Sequence, residues 1–199
     1  MEKTKFIHPS ARKHWHFLYK HRRRSTNAST KQIIAGQIFT IIVSVGAGVW
    51  LDSVKYSIIG FAGALLLLPG IVDLSASLAG SLGAKINHLL EESDKHPLRV
   101  MVVSTVYALV VSMFAGALVG LIGGIIGSIF FEADLYMMIK LMLITMALVG
   151  IVIYPVVAIL VVIVRHFKWN PDNLVGPIQS SLVDVLAIIM LAITIGILV

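Results

Sequence analysis

The sequence contains no cysteine. That excludes disulfide staples, thiolate zinc sites, iron–sulfur clusters and cysteine nucleophiles, and leaves the redox compartment unreadable. Charge is scarce too: Asp, Glu, Lys and Arg make up only 13% of 199 residues, against roughly 25% in a soluble domain. So little charge cannot cover a water-facing surface, which excludes an ordinary soluble globular enzyme. Hydrocarbon is plentiful instead. Hydrophobic residues reach 58% and the mean hydropathy is +0.94.

The net charge of +6 is unevenly placed. Nine of the sixteen Lys and Arg lie in the first 32 residues, and the first long apolar run starts only at Ile33. A secretory signal sets a short basic region directly before an apolar stretch of about 7–15 residues. Here the basic segment is longer and the next run can span a membrane. Residues 1–32 are therefore expected to be a basic cytoplasmic tail. Trp15, Phe17 and Tyr19 in it suit an interfacial helix, with Lys and Arg on anionic membrane lipids.

Residues 33–199 hold five apolar stretches, Ile33–Leu51, Tyr56–Leu89, Val100–Phe131, Met137–Val164 and Leu174–Val199. Each offers the ~20 residues that a spanning helix needs, and the short alternating segments of a membrane barrel are missing. The expected fold is all-α, a polytopic membrane protein with five transmembrane helices. Lys85, Lys95, Arg99, Arg165 and Lys168 fall in the loops on the tail's side, and only Lys55 and Lys140 do not. The positive-inside rule then puts the protein in the cytoplasmic membrane, N-terminus inside and C-terminus outside. Gly116, Gly120 and Gly124, with Gly123 and Gly127 alongside, predict close helix packing in span three. Pro69-Gly70, Gly150 with Pro155, and Gly176-Pro177 interrupt spans; the carbonyls that proline frees need partners.

Two aspartates stand inside spans, where an ionised group costs about 2.5–3.5 kcal/mol. Asp184 lies near mid-membrane, roughly 15 Å into span five at 1.5 Å per residue. Ser180 and Ser181 precede it by four and three positions and are expected on its face. Asp73 with Ser77 and Gly80 makes a similar stripe in span two, expected in the cytoplasmic half. Oxygen donors without sulfur or imidazole favour a hard cation such as Mg²⁺. Few carboxylates among small polar groups suit an ion that keeps most of its water. One aspartate per chain is thin, and a homodimer would bring two Asp184 side chains together on its axis.

The run Asn170-Pro171-Asp172-Asn173, then Gly176-Pro177, Ser180-Ser181 and Asp184, resembles the fifth helix of MgtE-type magnesium channels and related eukaryotic magnesium carriers. There a Gly/Pro pair and small hydroxyl residues precede an aspartate seven positions after the proline, the spacing of Pro177 and Asp184. Pro69-Gly70-Ile71-Val72-Asp73-Leu74 through Gly80, Gly83 and Lys85 resembles the second helix, which ends in a basic residue. Two features depart from the family. Ala76-Ser77 stands where a Gly-Asn pair is usual, and the ~32 residues before the first span are too few for the family's N-terminal and CBS regulatory domains. The resemblance implies a two-fold dimer with the pore on its axis and Asp184 as the principal cation site. Ser180, Ser181, Asn173, Asp73 and Ser77 would line the path. The transported ion would be Mg²⁺ or another divalent cation, carried by a channel; the alternative is a Na⁺- or H⁺-coupled carrier.

Other signals are weaker. His14-x-His16, beside His8 and His21, would present imidazoles that point apart on a helix, and a membrane-fixed tail gives no reason to expect nucleic acid. Glu132 and Asp134, or Glu91, Glu92 and Asp94, suit charged loops and helix ends as well as ion sites. No enzyme is expected. Val72-Asp73 and Val183-Asp184 lack the Tyr-Asp and Gly-x-Gly-Asp contexts of intramembrane aspartyl proteases, and neither HExxH nor G-x-S-x-G occurs. A purely structural subunit, with neither flux nor cleavage, is the remaining class.

Overall fold

Each apolar run forms a helix, as hydrocarbon requires of any backbone that crosses it. The computed structural model describes residues 9–92, 97–167, 169 and 171–199, and within them the side chains of 30–91, 97–167, 169 and 175–199. Asn173 belongs to a described helix, but its side chain lies outside the described ones, as do those of His14, His16 and the rest of the tail to Ser29. The helices are α1 (Pro9–Gly60), α2 (Ala64–Glu92), α3 (Pro97–Phe130), α4 (Leu135–His166) and α5 (Pro171–Leu198). All five contain stretches long and apolar enough to cross a membrane, the first being Thr30–Gly60.

The first hairpin differs from the sequence expectation. Asp52 and Lys55 do not end the first span; they form an i,i+3 ion pair within α1, and the helix runs on to Gly60. The chain reverses at residues 61–63. Gly63 has φ +79, and a Cβ there would sit 2.6 Å from Met138 Cε, so both backbone and space demand glycine. Moving the start of α2 from Tyr56 to Ala64 also moves Asp73. It lies nine residues from the α1–α2 turn and nineteen from the other end of α2. With the N-terminus inside, that is the outer half of the span, not the cytoplasmic half.

At the centre stands α4. Met138, Leu141, Met142, Met146, Val149 and Val161 are fully buried, with Ile153 and Val157 nearly so. Its closest neighbour is α3, and the α3 glycines explain how. A Cβ at Gly120 would lie 2.9 Å from Met142 Cβ and 3.0 Å from Ile139 Cα, and one at Gly116 2.7 Å from Met146 Cγ. The stripe is packing within the chain: small residues let two backbones approach where lipid offers no hydrophobic drive. α2 and α5 close the other sides of α4. α1 is peripheral, held mainly on α5, and leaves Ile41, Ile42, Val45 and Val49 exposed.

Candidate ion-pathway site

α2 and α5 are antiparallel and meet through glycine. Gly80 and Gly83 leave room for the buried Gln179 of α5, whose amide lies 3.0 and 3.3 Å from where their Cβ atoms would be. With its oxygen turned to α2, Gln179 accepts from Gly80 N–H at 2.8 Å and donates to Ala79 O at 3.3 Å. One amide thus reads the α2 backbone and sets the register. Five residues on from Gln179 is Asp184, and five residues back along α2 reaches the level of Ala76 and Ser77. Asp73 follows about one turn further, at 5.4 Å per turn.

The predicted residues sort by exposure. Asp73 and Ser77 are exposed, Ser180 and Asp184 are half-buried, and Ser181 is fully buried. Ser180 therefore shares the open side with Asp184, while Ser181 points into the bundle. The Pro177 carbonyl accepts from Ser181 Oγ at 3.0 Å, from Thr40 Oγ1 of α1 at 3.0 Å, and from Ser180 Oγ at 3.5 Å. Pro177 itself has no N–H, so the Asn173 carbonyl lacks its usual helical donor. α5 nevertheless continues through Pro177, as α2 does through Pro69. No described residue gives Asp73 or Asp184 a hydrogen bond or an ion pair within the chain. Nor do three His, Asp or Glu side chains gather anywhere among the described residues.

Below this level the helices part around a cavity of about 210 Å³, lined by Gly80, Gly83, Ala84, Asn87, Val175, Gly176, Gln179 and Val161. Its far end is braced by Arg165 of α4. That guanidinium donates to Asn87 Oδ1 at 2.7 Å, to Asn87 O at 3.1 Å and to Glu91 Oε1 at 3.3 Å. It also donates to Leu90 O at 3.4 Å, one of the carbonyls that the end of α2 leaves open. Sequence reasoning missed Gln179 as the α2–α5 bridge, and it missed the Arg165–Asn87 contact. Both join residues far apart in sequence. At the opposite end, Asp134 caps α4 by accepting from Met137 N–H at 2.8 Å, which gives one acidic loop residue a structural task.

The stripe on α2 and the Pro177–Asp184 stretch of α5 both fall within a match to a protein-family model. That model, MgtE, is described as a divalent cation transporter, and it covers residues 69–194, more than half of the chain. No curated protein and no solved structure matches. Five apolar helices and the extent of the match agree, and the chain belongs to the MgtE family of divalent cation transporters.

Proposed function

We propose that two copies of this chain pair about a two-fold axis along the α2–α5 face, and that the faces enclose a pore conducting Mg²⁺ down its electrochemical gradient. The observation that carries this reading is the pair of carboxylates without partners on the open side of membrane-spanning helices. Left against lipid, Asp73 and Asp184 would together cost about 5–7 kcal/mol. A second copy removes that face from lipid and brings two Asp184 carboxylates together. They repel when the site is empty and are balanced by one divalent ion. Ser180, Ser77 and Asp73 add oxygens that can face the ion's water shell. Ser181 acts through the Pro177 carbonyl, and Asn173 contributes its own carbonyl. Lys and Arg in the loops favour the cytoplasmic membrane with the N-terminus inside, which makes the cavity beside Asn87 the cytoplasmic mouth.

A channel is favoured over a coupled carrier because α2 and α5 remain continuous helices through Pro69 and Pro177. Carriers of the alternating-access kind typically build their sites from unwound half-helices. Mg²⁺ uptake into liposomes tests both statements. Asp184→Asn should reduce uptake to the leak of empty liposomes while the protein stays folded and dimeric, because amide oxygens give Mg²⁺ little reason to leave bulk water. Asp73→Asn should slow uptake without abolishing it, since that carboxylate is more exposed and solvated. Near-normal uptake by Asp184→Asn would sink the site, and uptake that tracks an imposed Na⁺ or H⁺ gradient at fixed voltage would favour the carrier.

A further inference from the structure

A second cavity, about 280 Å³, opens between the end of α2 and the start of α3, lined by Leu89, Arg99, Val100, Val103 and Ser104. One turn deeper, Lys85 Nζ lies 4.3 Å from the centroid of the Tyr107 ring. Lys85 precedes Leu89 by four residues and Tyr107 follows Val103 by four, so both pairs continue one groove along antiparallel helices. Val103 and Tyr107 are each 61% exposed, so the groove is open along its length. Counting 100° per residue, Lys85 and Leu89 lie about 120° and 160° around α2 from Asp73. The groove is therefore separate from the α2–α5 face.

Its chemistry is graded. Arg99 stands at the rim, beside the start of α3 at Pro97. Lys85 stands about 10 Å from the end of α2, seven residues in; its Nζ rests on the Tyr107 ring, and its flexible stem lets it snorkel toward the rim. Neither cation has a carboxylate partner among the described residues, and the one described acidic side chain at the end of α2, Glu91, is engaged by Arg165. Between Arg99 and Lys85 the walls are leucine and valine, and the Tyr107 ring lies against Lys85 Nζ. Cations flanking hydrocarbon are the complement of an anionic amphiphile. We infer that this groove binds an anionic phospholipid of the leaflet holding the α2–α3 connection. Its phosphate sits between Arg99 and Lys85, and an acyl chain lies along Val103 and Tyr107.

Native mass spectrometry of the delipidated full-length chain tests this with dioleoyl phosphatidylglycerol and dioleoyl phosphatidylcholine as probes. The wild type should retain phosphatidylglycerol in preference. Arg99→Gln or Lys85→Gln should each weaken retention roughly five-fold and the pair roughly 25-fold. Val103→Trp, which keeps both charges but fills the groove, should also lose the lipid, and Lys140→Gln at the opposite end of the bundle should change nothing. Equal retention of the two lipids by the wild type, or wild-type retention by the double variant or by Val103→Trp, would overturn the assignment. So would a disulfide between copies carrying Val103→Cys, clean in a chain without cysteine, because it would put a second copy on the groove.

Discussion

Substituting Gln179 tests the register on which the site depends. Its amide makes two hydrogen bonds to α2, each worth about 0.5–1.5 kcal/mol net. Its partners, Gly80 N–H and Ala79 O, lie inside a helix and keep their own ladder bonds when the amide goes. Gln179→Leu therefore orphans nothing and should cost only about 1–3 kcal/mol. Gln179→Ala should cost little more, because the side chain already borders the 210 Å³ cavity and its removal enlarges a space that exists. Gln179→Glu is nearly isosteric but has no N–H to give Ala79 O. It sets an acceptor against an acceptor at a 6% exposed position, and an unpaired buried charge costs about 3–5 kcal/mol. Thermal unfolding of the detergent-solubilised chain should rank wild type above Leu, Leu near Ala, and Glu last. If Gln179→Glu melts with the wild type, the amide does not donate to α2 and the register drawn from it is wrong.

Three further substitutions probe the scaffold. Gly120→Leu should destabilise by about 1–3 kcal/mol, because its Cβ meets the Ile139 backbone as well as Met142, whereas Gly196→Ala, with nothing within 4 Å, should be silent in the same melt. Asp134→Ala should cost about 1 kcal/mol by uncapping α4, and Asp134→Asn should retain most of the stability. Arg165→Gln should fray the end of α2, read as faster hydrogen exchange at residues 88–91 with little change in α3; unchanged protection there would mean that the guanidinium does not brace the helix.

The spans were legible because hydropathy over twenty residues is a strong signal, and the position of Asp184 along α5 needs only a count along one helix. The first hairpin was misplaced for a local reason. Asp52 and Lys55 look like a loop in a hydropathy trace, yet an ion pair three residues apart is compatible with a helix. The true break depends on the positive φ of Gly63, which sequence does not distinguish from Gly60 or Gly70. Ser180 and Ser181 show a different limit. Adjacent residues point about 100° apart, and which one turns outward is set by how α5 packs in the bundle, where Ser181 is fully buried. Contacts between helices, such as Arg165 with Asn87 or Gln179 with Gly80, carry no mark along the chain at all.

The division of labour among the helices limits where function can be altered without loss of the fold. α4 is apolar and buried through its middle turns, and α5 meets the buried core with Val183, Ala187, Leu191 and Thr194. The opposite sides of α2 and α5 hold the exposed or half-buried Asp73, Ser77, Ser180 and Asp184. None of these four has a buried side chain, and the one hydrogen bond among them, from Ser180 to Pro177, is long at 3.5 Å. Substitutions there remove little packing, so their stability effects should be small while their effects on transport are large. Substitutions at the α3 glycines or along α4 should do the reverse. A polar face costly in lipid and dispensable to the core is what a chain needs if the partner of that face is a transported ion and a second copy of itself.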